Sequence, residues 1–202
     1  MHHLRYSGLP FEEQRAAFLA IVASDPLLSE TLARVRALAL PDWLVVSGAL
    51  YNSVWNHLTG KPPGYGIKDV DLFYFDDADL SYEAEDAVIR RAAKQLQGLA
   101  LPVEVRNQAR VHLWYPAKFG RECPRYTSAS ESVSYFASKT HAVGVRFNDA
   151  GFGGAVRARR YFFVPHHPEP GAGQPADARS EGEEGEGDLA GDSRGAVVVP
   201  SK

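Results

Sequence analysis

Apolar positions recur at helical spacing over residues 10–23, where Phe11, Ala16, Phe18, Leu19, Ile21 and Val22 build one stripe. Glu12 and Glu13 fall in the first turn, where the positive end of the helix dipole favours acids. Asp25-Pro26 breaks the pattern and opens a second helix over 27–38, and Pro41 closes the helical region. Trp43-Leu44-Val45-Val46 is a short continuous apolar run and reads as a buried strand, followed by Ser47-Gly48 and a helix over 49–58. The loop 60–66 is dense in Gly and Pro. Residues 68–76 form a strand in which Leu72-Phe73-Tyr74-Phe75 reads as buried on both faces. A helix over 79–97 carries Ser81 as its cap and Glu85 in its first turn. Val103-Glu104-Val105 is a further strand, 108–120 is less regular, 128–136 a short helix and 142–147 a last strand. Strands and helices alternate, so the expected fold is α/β (α+β), a small mixed sheet flanked by helices.

The pattern stops near Pro165. Beyond it Pro, Gly, Glu and Ala dominate and no aromatic residue follows Phe163. Such a segment buries too little apolar surface to offset its ordering entropy. We therefore expect a folded domain over 1–165 and a disordered acidic tail over 166–202. The tail carries 8 acidic and 3 basic residues, which leaves a body of net +2. So small a positive charge lacks the basic stripe of a general nucleic-acid binder. The tail itself is either a solvated segment or a contact for a basic partner.

The chain has 202 residues, 45% hydrophobic and 23% charged, close to an ordinary globular protein. It has no apolar run long enough to span a bilayer, and its start lacks the apolar core of an export signal. The single cysteine, Cys123, excludes an internal disulfide and has no Cys or His at metal-ligand spacing. A cytoplasmic protein without membrane contact or zinc is the expectation.

Acids spaced i, i+2 occur three times in the body, as Asp69/Asp71, Asp77/Asp79 and Glu83/Glu85, and about two such pairs arise by chance. Context separates them. Only Asp69 and Asp71 enter an apolar strand, where residues two apart share a face about 6.5–7 Å apart. Two carboxylates so placed repel and resist desolvation, which a basic partner, a proton or a hard divalent cation would relieve. Solvated strand-end acids are the bland alternative. Glu104 is a third acid in an apolar strand, and its alternative is an edge-strand acid paired with Arg106. Val46-Ser47-Gly48-Ala49 places a glycine turn before a helix start, whose N–H groups and dipole suit phosphate.

Together, Ser47-Gly48, Asp69-Val70-Asp71 and Glu104 resemble the nucleotidyltransferase superfamily typified by DNA polymerase beta. More narrowly, GALYNSVWNHLTGKPPGYGIKDVDLFYFD, VEVRNQARVHLWYPAKFG and AVGVRF resemble a bacterial nucleotidyltransferase-like family of unassigned substrate. The resemblance covers roughly residues 10–150 and implies a metal-dependent transfer of a nucleoside monophosphate from a nucleoside triphosphate to an acceptor hydroxyl. It maps the metal-binding and catalytic carboxylates to Asp69, Asp71 and Glu104, with Mg2+ as the ion, two of them expected, and Mn2+ as its substitute. Gly48 maps to the triphosphate turn, where Ala49 stands in place of the family's second Ser or Gly. Ser47, Asn52 or Ser53 would then have to supply the missing contact.

Other polar residues stand near these motifs. Lys61 and Lys68 flank the Gly-rich loop, and Arg106 or Arg110 could bind phosphate. Each has solvation or a structural hydrogen bond as its alternative, as do Asn107 and Gln108 as readers of a base or acceptor. Trp55, Trp114 and Tyr115 are expected in the core rather than as base-stacking platforms, and His57 and His112 as structural histidines. The expected partners are a nucleoside triphosphate and an acceptor that is a small molecule, a protein or an RNA end. The rivals are a degenerate nucleotide-binding or regulatory module and an interaction protein acting through the tail. The whole reading requires Glu104 to leave the sheet on the face used by the aspartates.

Overall fold

The computed structural model describes residues 5–138 and 140–147. Helix α1 (Phe11–Ser24) and helix α2 (Pro26–Arg36) meet at Asp25. That carboxylate caps α2, its Oδ1 accepting from the amides of Leu27 (3.0 Å) and Leu28 (3.2 Å). Pro26 fits the first helical position because its missing N–H had no intrahelical acceptor.

The chain then runs through β1 (Leu44–Val46), α3 (Gly48–Thr59), β2 (Val70–Tyr74), α4 (Tyr82–Gln95) and β3 (Val103–Asn107). A 3-10 turn (Gln108–Arg110), α5 (Val111–Phe119), α6 (Ala129–Ser134) and β4 (Gly144–Val145) complete it. The sheet order is β3-β2-β1-β4, with β1 antiparallel to both its neighbours and β2 parallel to β3. Helix α4 provides the crossover that a parallel pair needs. The sheet is mixed and flanked by helices, as the alternation of patterns predicts.

The two faces of the sheet differ. Val45, Val70, Leu72, Tyr74, Val105 and Val145 point into the main core, with Phe18, Val22, Leu28, Leu32, Leu50 and Ala92 from the helices. Leu44, Val46 and Phe73 point the other way, into a smaller core closed by Ala129 and Val133 of α6 and by Ala142. Helix α6 is tied to this face by Asp42, whose Oδ2 accepts from the Ala129 amide (2.8 Å) while its Oδ1 pairs with Arg146 (3.1 Å). The Leu72–Phe75 run is apolar because two cores sandwich it.

Three expectations need correcting. Strand β2 begins at Val70, so Asp69 lies just before it. The segment expected to be less regular contains α5, with Pro116 inside and Gly120 in a left-handed cap at φ +65°. The proline and an aromatic content without a polar stripe hide a short helix from periodicity. Of the aromatics expected in the core, Trp55 is 50% exposed and Trp114 and Tyr115 are half-buried outside both cores, and His57 is exposed. The expected tail, 166–202, lies outside the described residues. Among the described residues no single helix is long and apolar enough to cross a membrane.

Candidate active site

Strand register brings acids from two strands together. Asp71 is the partner of Glu104 across the parallel β2–β3 pair, and of Val46 across the antiparallel β1–β2 pair. Paired residues on neighbouring strands leave the same face of a sheet. Asp71 and Glu104 therefore share the face of Val46 and Phe73, and Arg106, two residues on from Glu104, leaves that face too. Asp69, ahead of the strand, is close enough to act on Asp71 electrostatically.

The electrostatics follow from this crowding. Burial first, then the charges of Asp69 and Glu104, push the Asp71 carboxyl up to about 7, opposed by Arg106. Burial draws the Arg106 guanidinium down from its ordinary value, opposed by the Glu104 and Asp71 carboxylates. A half-buried set of three acids and one arginine leaves an excess of negative charge.

The end of β1 delivers the chain to the same place. Val46 pairs with Asp71, and the next residue, Ser47, takes a left-handed backbone at φ 54°, ψ −115°, which is strained for a side-chain-bearing residue. The strain is held by hydrogen bonds on both sides. The Ser47 amide donates to the Val143 carbonyl (2.9 Å), and the Ser47 carbonyl accepts from the amides of Leu50 (3.0 Å) and Tyr51 (3.2 Å). The sharp turn aims the start of α3 across the acid-bearing end of the sheet. Ser47 makes no side-chain capping bond. Gly48 has an ordinary φ, and a Cβ built on it would meet nothing within 4 Å. Neither strain nor internal crowding explains its missing side chain, which leaves room above the helix start.

The other candidates divide. Asn52 shares the open face of α3 with Gly48, whereas Ser53 is buried on the core face and is turned away from the helix start. Lys68 is exposed beside Asp69, and Lys61 lies over the Tyr65 ring at 5.0 Å. Arg110 is not brought to the acids. It forms a buried ion pair with Glu85, donates from Nε to the Leu80 carbonyl (2.9 Å) and lies over the Tyr82 ring at 5.9 Å. Asn107 is likewise structural. Its Oδ1 accepts from the amides of Asp76 and Ala109 (both 3.1 Å), and its Nδ2 donates to the Asp76 carbonyl (2.7 Å).

Sequence reasoning missed Tyr51. Its phenol is raised by burial and by the nearby Asp71 charge, opposed by a hydrogen bond with the Asn52 side chain. Its ring stacks on His141, with centroids 4.8 Å apart and planes 16° apart. The available signal was the helical face it shares with Gly48; a lone tyrosine in a helix carries no other.

The donor set here is entirely carboxylate, the oxygen chemistry that Mg2+ prefers. Among the described residues, however, no three His, Cys, Asp or Glu side chains converge closely enough to hold a metal ion. The expected three-acid cage is thus not assembled by the chain alone. Mg2+ is commonly held by one or two carboxylates together with substrate phosphates, and the Asp71–Glu104 pair suits that mode.

Comparison with known proteins places this geometry. A family profile described as Nucleotidyltransferase matches residues 33–155. A protein whose NMR structure is described as revealing a CCA-adding enzyme head domain is 25% identical, with a TM-score of 0.57. The match covers 70% of this chain and 71% of that one. No curated protein matches the chain significantly.

Proposed function

Because the chain belongs to the nucleotidyltransferase family, we propose that it moves a nucleoside monophosphate from a nucleoside triphosphate to an acceptor hydroxyl, releasing pyrophosphate. The acceptor oxygen forms a bond to the α-phosphorus, the bond from that phosphorus to the bridging oxygen breaks, and the hydroxyl proton leaves to a carboxylate. The observation that carries this reading is the pairing of Asp71 with Glu104 beside a strained turn and an uncapped helix start.

Each part has a task. The first amides of α3 and the room above Gly48 receive the phosphates, with the helix dipole favouring their charge. Mg2+, held by Asp71 and Glu104 together with the phosphates, would neutralise charge on the transferring group when bound. The carboxylates hold the negative field in which the acceptor hydroxyl loses its proton. Arg106, coupled to the Glu104 and Asp71 charges, offsets part of that field and is the arginine we assign to a phosphate oxygen. Positioning does much of the remainder, as in other phosphoryl transfers.

Incubation of the full chain with each labelled nucleoside triphosphate, Mg2+ and a cell extract tests the reading. Label transfer by the wild type, lost in Asp69→Ala/Asp71→Ala, is expected; no transfer and no Mg2+-dependent nucleotide binding would refute it. Gly48→Ala separates binding from folding. The added methyl meets nothing in the chain and removes backbone entropy from the unfolded state, so stability should hold or rise by about 0.4–1 kcal/mol. Nucleotide affinity should fall nonetheless, as calorimetry would show. Unchanged affinity would mean that phosphate does not approach this turn.

A further inference from the structure

Helix α3 has two unlike faces. Ala49, Leu50, Ser53, Val54 and Asn56 are buried. Gly48, Tyr51, Asn52 and Trp55 follow one another at helical spacing on the other face; the first three are half-buried and Trp55 is 50% open to solvent. Trp55 adds nothing to either hydrophobic core. It lies against Tyr51 with ring centroids 5.0 Å apart and planes 58° apart, and Tyr51 stacks in turn on His141. The His141 segment is anchored at the site. Val143 donates to the His141 carbonyl (2.8 Å) and accepts from the Ser47 amide. Three rings from two parts of the chain thus form one aromatic surface. It begins beside Asp71 and extends along the helix whose start faces the acids.

We propose that this surface, with Trp55 as its open ring, is the platform on which the base of the incoming nucleoside triphosphate stacks. The proposal rests on the nucleotidyl-transfer reading above and adds the part of the substrate that reading leaves unplaced. Trp55 lies seven residues beyond Gly48, about 10 Å along the helix axis. That separation is of the order of a nucleotide's reach from its phosphates to its base. No acid lies on this face of α3 itself. A platform of rings discriminates weakly among bases, because every base presents a π-face. It does discriminate between a nucleotide and a bare polyphosphate.

The experiment is calorimetric titration of the full chain with ATP, GTP, CTP and UTP, and separately with inorganic tripolyphosphate, all with Mg2+. Wild type should bind at least one nucleotide more tightly than tripolyphosphate. Trp55→Ala should weaken that nucleotide by about tenfold to a hundredfold and leave tripolyphosphate unchanged, while Trp55→Phe keeps most of the preference. Thermal melting checks that the exposed substitution leaves the fold intact. The platform is overturned if Trp55→Ala leaves the ratio of the two affinities unaltered, including the case in which both fall together. Equal wild-type affinity for nucleotide and tripolyphosphate overturns the platform alone. If wild type binds neither, the nucleotidyl-transfer reading and the platform fall together.

Discussion

Asp71→Asn is expected to lower nucleotide transfer by about a hundredfold to a thousandfold and, in the metal-free protein, to raise stability above neutral pH. Both effects have one cause. Burial, Asp69 and Glu104 hold the folded-state carboxyl at about 7, against 3.8 for an ordinary aspartate. Between these values the folded chain keeps a proton that the unfolded chain has released. Stability therefore falls as pH rises from about 4 to about 7, and above that the adverse contribution is fully present. A shift of this size corresponds to roughly 4 kcal/mol, which the neutral asparagine would remove. Denaturant melts in the presence of a chelator should show variant and wild type converging near pH 4 and separating above pH 7. A variant no more stable than wild type at pH 8 would mean that the acids are not crowded. Full transfer activity in Asp71→Asn would remove this carboxylate from the chemistry.

The second large effect concerns stability alone. Arg110→Met leaves Glu85 charged and buried without its ion-pair partner, and breaking one half of such a pair costs about 3–5 kcal/mol. The loss is that large because Glu85 also receives the Asn107 amide at 2.8 Å and so cannot turn to solvent without releasing β3. In a domain of this size it should lower the melting temperature on the order of 10 °C. Adding Glu85→Gln removes the stranded charge while keeping an acceptor for Asn107, so the double variant should recover part of the loss. A phosphate-binding Arg110 would behave differently: nucleotide affinity would collapse while the melting temperature stayed put.

Much of this molecule is legible in short stretches of chain, because short-range forces set them. Asp25-Pro26 both ends one helix and caps the next, and Ser81 caps α4 by accepting from the Ala84 amide. The apolar run around Leu72 announces a buried strand, and an acid inside it stands out against that background. The polar run after Glu104 is different. Arg106, Asn107 and Arg110 are equally plausible phosphate or base readers on the page. Asn107, three residues along the strand from Glu104 and so about 10 Å away, and Arg110, beyond the end of the strand, are instead engaged with Asp76, Leu80 and Glu85. Nothing local distinguishes an arginine that faces the acids from one that braces a helix.

The pattern along the chain marks out the helices and strands other than α5, the apolar faces and the acids that sit in apolar surroundings. Those properties follow from side-chain periodicity and from capping within a few residues. That Glu104 lies across from Asp71, that Arg110 turns to Glu85, and that Trp55 stays open while His141 comes to rest on Tyr51 is seen in the folded chain alone. Strand register and packing between distant segments make those choices, and they depend on the whole core rather than on any neighbouring residue.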